Sequence, residues 1–103
     1  MIPKNLSRDQ DESFKKVRAE IVSTLKKYGI KKAGIFGSYA KGKQKKNSDV
    51  DILIEPVRGM GYEFVEIKLE LEDRIGKSVD LITYKGIHPL IKSQVLKEEV
   101  RIL

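Results

Sequence analysis

The sequence predicts an α/β fold of the mixed, α+β kind: a small mixed β-sheet with helices packed on one face. Three observations predict it. Apolar residues recur at helical spacing across the first part of the chain. Three short apolar runs then follow, 33–36, 50–54 and 79–83, the last two rich in Val, Ile and Leu. A second helical period separates the last two of those runs, and a third follows them. The order helix, strand, strand, helix, strand, helix covers one sheet face and leaves the other to carry polar residues.

Each element has its own justification. Ser7 opens the first helix, with Gln10 three residues on as a capping box. Phe14, Val17, Ile21, Leu25 and Tyr28 mark its apolar face, and Gly29 fits its C-terminal cap. A short strand over 33–36 ends at Gly37-Ser38. Tyr39 to Lys41 fit a helical turn, and 42–48 is a lysine-rich loop. Residues 50–54 form a β-branched run that reads as a buried strand, broken by Pro56 and Gly59. Residues 62–75 read as a helix with Phe64, Ile67, Leu71 and Ile75 on one face and Gly76 as its cap. Residues 79–83 are a third strand. Pro89 suits the first turn of a last helix, whose apolar residues are Leu90, Ile91, Val95 and Leu96. Residues 100–103 add a short strand or dock as a tail.

Composition excludes several chemistries. A chain of 103 residues corresponds to one domain, 1–103. It has no cysteine and one histidine, so thiolate sites and multi-imidazole sites are excluded. A metal must be held by oxygen ligands, which favours magnesium, manganese or calcium. No apolar run approaches the roughly 20 residues of a membrane span, and the N-terminus lacks a secretory h-region. The expected location is the cytoplasm. Net charge is +6, which draws in anions.

The informative stretch is Gly37-Ser38, then ten residues, then Asp49-Val50-Asp51. Side chains alternate along a strand, so Asp49 and Asp51 share a face, with Cα atoms about 6–7 Å apart. Val50, Ile52 and Ile54 face the core. Two carboxylates that close repel unless something positive lies between them. A solvated aspartate is the plain alternative, and it explains Asp49 better than Asp51, because strands disfavour aspartate. Asp80 starts the third strand on the face opposite Val79 and Leu81. If those strands are neighbours, three carboxylates share one end of one face. Such a cluster can hold two divalent ions about 4 Å apart, as used for in-line phosphoryl and nucleotidyl transfer. Glycine lets backbone approach a phosphate, and the serine hydroxyl and nearby amides can bind its oxygens. Alone, a Gly-Ser pair is an ordinary turn.

The run GSYAKGKQKKNSDVDILIE resembles the signature of minimal nucleotidyltransferases of the DNA polymerase β superfamily. Gly37, Ser38, Asp49 and Asp51 match that pattern, as does Ser48 before the first aspartate. Asp80 sits where the family's third carboxylate is expected. The resemblance implies the nucleotidyltransferase fold, with Asp49, Asp51 and Asp80 as catalytic and metal-binding residues. It implies Gly37, Ser38, Lys41 and Ser48 as nucleotide-binding residues. Two Mg2+ ions, or Mn2+, and ATP as substrate follow from the same resemblance. Where many members have arginine in the turn after Gly-Ser, this chain has Lys41, a point charge that cannot form the bidentate fork. Small proteins of this type act as antitoxins beside a HEPN-domain ribonuclease, and some adenylylate a tyrosine on that partner. The implied reaction is therefore transfer of AMP to a hydroxyl of a HEPN-type partner, in a homo- or hetero-oligomer.

Other residues have plainer readings. Lys43, Lys45 and Lys46 either steer phosphate or are a solvated loop. His88 reads as a cap or surface residue rather than a base. Tyr39 either stacks on a base or packs. Tyr62 and Phe64 read as core. Glu55 lies further from the Gly-Ser turn and stays outside the ligand set. Two other functional classes compete with the enzyme. One is a non-catalytic, nucleotide-binding antitoxin that acts by occlusion. The other is direct nucleic-acid binding, ranked last because the chain has neither an aromatic RRM strand motif nor a GxxG clamp.

Overall fold

The computed structural model describes residues 12–42 and 49–103, with side chains from Phe14 onward. The expected capping box at Ser7 and Gln10, and the lysine-rich loop through Ser48, lie outside the described residues. In chain order the elements are α1 (Glu12–Lys27), β1 (Ala33–Phe36), α2 (Gly37–Lys41), β2 (Val50–Ile54), α3 (Glu63–Ile75), β3 (Val79–Thr83), α4 (Pro89–Glu98) and β4 (Val100–Arg101). A 3₁₀ turn, Tyr84–Gly86, joins β3 to α4.

The four strands form one mixed sheet in the order β3-β2-β1-β4. β1 runs antiparallel to both β2 and β4, and β2 runs parallel to β3. The expected final strand therefore exists, as a two-residue edge that pairs Gly34 with Arg101 and Ile35 with Val100.

Strand alternation divides the side chains between two faces. Ala33, Ile35, Val50, Ile52, Ile54, Val79 and Leu81 lie on one face and join Phe14, Ile21 and Leu25 of α1 and Ile67 and Leu71 of α3 in one core. Burying each Leu, Ile or Phe stabilises by about 1.5–3 kcal/mol, so this face carries most of the fold's stability. Glu70 ties the two helices together at the surface. It accepts from Lys27 Nζ at 2.9 Å, Tyr28 Oη at 3.0 Å and Arg74 Nε at 3.0 Å. That surrounding positive charge and hydrogen bonding, Lys27 foremost, hold its carboxyl below the usual range.

Three expectations need correction. The second sheet face is not polar throughout: Leu53, two residues from Asp51 on the same face, is fully buried, and the Glu99 side chain lies over Gly34 there. The end bearing Asp51 and Asp80 is accessible there. Tyr62 is not core but 88% exposed. It precedes α3 by one residue, and two positions along a helix turn a side chain through about 200°, away from the half-buried Phe64. Finally, α4 has helical periodicity but buries none of its residues.

Candidate active site

The sheet's connectivity brings the predicted residues to one end. β1 runs toward that end and stops at Phe36, which pairs with Asp51 near the start of β2. Because β3 is parallel to β2, its start lies at the same end, and Asp51 pairs directly with Asp80. Neighbouring strands are about 4.8 Å apart, so these two carboxylates project side by side from one face. Asp49 is the exposed residue just before β2. Asp80 is exposed and Asp51 half-buried.

The electrostatics follow from that crowding. Burial, then the charges of Asp80 and Asp49, push the Asp51 carboxyl from its ordinary 3.8 up to about 6. Among the described residues no Lys or Arg forms an ion pair with any of the three. As placed, no three acidic or histidine side chains among the described residues converge tightly enough to chelate an ion. An accessible group of carboxylates that repel one another, with no ion-pair partner among the described residues, nevertheless has the donor chemistry of a hard divalent cation.

Gly37 abuts this group. Its φ of +72° lies in the left-handed region, and a Cβ there would collide with Asp51 Oδ2. Only glycine satisfies both conditions. The turn that follows, α2, has no side-chain cap on its opening amides. Ser38 is half-exposed on it, whereas Tyr39 and Ala40 are buried. Tyr39 belongs to the main core cluster, which settles its role as packing.

Lys41 stands at the other end of α2, where its Nζ lies 3.3 Å from Glu98 Oε2. That partner comes from the far end of the chain and has no local sequence signature. His88 is the α4 N-cap, its Nδ1 accepting from Leu90 N–H at 3.1 Å. Glu55 lines a hollow of about 510 Å3 with Arg58, Thr83 and Tyr84, at the opposite ends of β2 and β3. Ser48, Lys43, Lys45 and Lys46 lie outside the described residues.

The family model described as polymerase beta, nucleotidyltransferase, matches residues 19–103. The chain belongs to that family. It is a nucleotidyltransferase, and the Gly37 turn with its facing carboxylates occupies the region that the family match covers. Sequence relatives agree. One from Methanocaldococcus jannaschii, provisionally named a protein adenylyltransferase, is 45% identical over 88% of this chain and 99% of its own length. The protein adenylyltransferase MntA of Thermococcus cleftensis is 36% identical over 74% of this chain and 78% of its own length. A solved structure described as a minimal nucleotidyltransferase superposes with a TM-score of 0.76 at 27% identity, covering 95% of this chain and 98% of that one. A toxin–antitoxin structure with AMP-PNP shares the fold, with a TM-score of 0.72 at 22% identity, over 84% of this chain and 72% of that one. No described helix is long and apolar enough to cross a membrane.

Proposed function

We propose that this chain transfers AMP from magnesium–ATP to a hydroxyl on a partner protein, and that it serves as the antitoxin of a toxin–antitoxin pair. The observation that carries the reading is the Asp51–Asp80 register beside a glycine with no room for a Cβ. It is supported by the adenylyltransferase names of the sequence relatives and by the AMP-PNP-bound toxin–antitoxin structure that shares the fold. The HEPN class of partner rests on the sequence resemblance.

The residues divide the work by position. Gly37 and Ser38 receive the phosphates through the backbone amides of the turn and the serine hydroxyl, and the sequence resemblance adds Ser48 to the nucleotide-binding set. Lys41 adds positive charge once its pairing with Glu98 opens. Asp49, Asp51 and Asp80 are the set that would hold Mg2+ or Mn2+. An ion held by them would supply charge neutralisation for the triphosphate. Asp80, the exposed carboxylate on β3, takes the acceptor's proton. The acceptor oxygen forms its bond to the α-phosphorus, the bridging α–β bond breaks, and pyrophosphate leaves.

The test is retention of label from α-labelled ATP, in magnesium, on the protein encoded beside this chain. Label on that protein, lost when Asp51 is replaced by Asn, supports the reading. Tight neutralisation of the partner with no label transferred supports occlusion instead.

A further inference from the structure

The chain leaves α4 on two consecutive carboxylates, Glu98 at the helix's last position and Glu99 as its cap. The C-terminal end of a helix carries partial negative charge, so an acidic side chain there is disfavoured unless it meets a donor or a cation. Each glutamate meets a different group. Glu99 accepts from the Tyr84 hydroxyl and lies over Gly34 of β1. Glu98 instead reaches α2, where its Oε2 lies 3.3 Å from Lys41 Nζ. No side chain of α4 is buried, so the contact between α4 and α2 leans on this pair.

Lys41 is also placed to meet a ligand. It follows Ser38 by three residues, and positions three apart share one face of a helical turn. The two residues between them, Tyr39 and Ala40, are the buried ones. Lys41 therefore lies on the accessible face of α2 with Ser38, on the turn that begins at Gly37. Both side chains of the pair are partly exposed, 43% for Lys41 and 34% for Glu98. An incoming anion can thus reach the ammonium without unpacking the core.

We infer that Glu98 is a built-in competitor of the triphosphate. Its carboxylate holds the Lys41 ammonium in the empty protein, and the nucleotide binds by displacing it. Glu98 is then a positioning residue that acts through Lys41 and lowers nucleotide affinity. The inference rests on the nucleotide role proposed for the Gly37 turn and Lys41. The coupling is reciprocal. Whatever draws Glu98 away from Lys41 tightens nucleotide binding, and bound nucleotide loosens the end of α4 by the same factor. The opposite role, in which Glu98 holds Lys41 ready for the phosphates, predicts the opposite sign when Glu98 is neutralised.

Calorimetry with magnesium–ATP on the wild type, Glu98→Gln, Lys41→Met and the double variant separates these roles. Glu98→Gln keeps the side chain's size and removes its charge. Exposed ion pairs are modest, so Glu98→Gln should tighten magnesium–ATP about two- to fivefold, equal to about 0.4–1 kcal/mol. In transfer assays the same factor should appear in KM for ATP, with kcat within about twofold. Lys41→Met should weaken binding, and adding Glu98→Gln to it should change the affinity no further. Unchanged or weaker binding by Glu98→Gln alone overturns the inference. So does tightening that persists in the Lys41→Met background, since that effect would not pass through the lysine. Glu99→Gln removes the same charge one residue along, and tightening equal to that of Glu98→Gln would also overturn it. The expected affinities in a protein that transfers no label would sink the transfer reading and leave the competition standing. Failure of every variant to bind magnesium–ATP would sink both.

Discussion

Replacing Asp51 with Asn should make the metal-free protein more stable while removing magnesium–ATP binding. The Asp51 carboxyl is pushed from 3.8 up to about 6 by burial and by its acidic neighbours. At about 1.36 kcal/mol per pKa unit, keeping it ionised at neutral pH costs the fold at most about 3 kcal/mol. The side chain is half-buried, so water screens much of that, and about 1 kcal/mol is the working expectation. The sign follows from proton counting. A carboxyl whose folded pKa is raised binds more protons folded than unfolded, so stability falls as pH rises through the interval from about 4 to about 6. The deficit is complete above that interval and absent below it. Asn carries no such dependence. In EDTA at pH 7.5 the variant should melt about 4–8 °C above the wild type, the usual span per kcal/mol for a domain of this size. At pH 4 the two should coincide. Adding magnesium and ATP should raise the wild-type melting temperature and leave the variant unmoved. A variant that melts below the wild type at pH 7.5 would show that the carboxylate holds the Gly37 turn together, and the repulsion argument would fail.

Other outcomes follow from the same geometry. Gly37→Val should abolish ATP binding by calorimetry and lower the melting temperature, because φ is +72° and Asp51 Oδ2 fills the space a Cβ needs; full transfer activity in a folded variant would count against the phosphate role. Asp80→Asn should slow transfer by about 10²–10⁴ at saturating ATP and magnesium with little change in ATP affinity, and a near-normal rate would remove Asp80 from the proton-transfer role. Leu71→Ala empties a fully buried core position between α3 and the sheet and should cost about 2–5 kcal/mol in urea unfolding, with the magnesium–ATP affinity of the folded fraction unchanged.

Local pattern explains which features were readable beforehand. The β-branched run of β2 and the Gly37-to-Asp51 spacing lie within one short stretch, so both the strand and the orientation of its aspartates could be read directly. Asp80 needed one further condition, that β3 lie beside β2, and the parallel register meets it with Asp51 opposite Asp80. The misses are all tertiary. The open face was expected to carry polar residues, yet Leu53 on that face is fully buried, which alternation along β2 alone does not show. Lys41 looked available because Glu98, far along the sequence, carries no sign of its partner. Tyr62 reads as core in the sequence, yet its phase at the start of α3 turns it outward.

The pairing of Asp51 with Asp80 also makes the protein a strict reporter of its own folding. Side chains alternate with a period of two, so a slip of β3 by one residue would exchange Asp80 with Val79 or Leu81. The carboxylate would enter the hydrocarbon interior and an aliphatic group would take its place at the surface. The misregistered molecule would thus be penalised in stability and be inactive at the same moment. If Asp80 has the role proposed for it, activity recovered after refolding should track the fraction of molecules with β3 in the correct register.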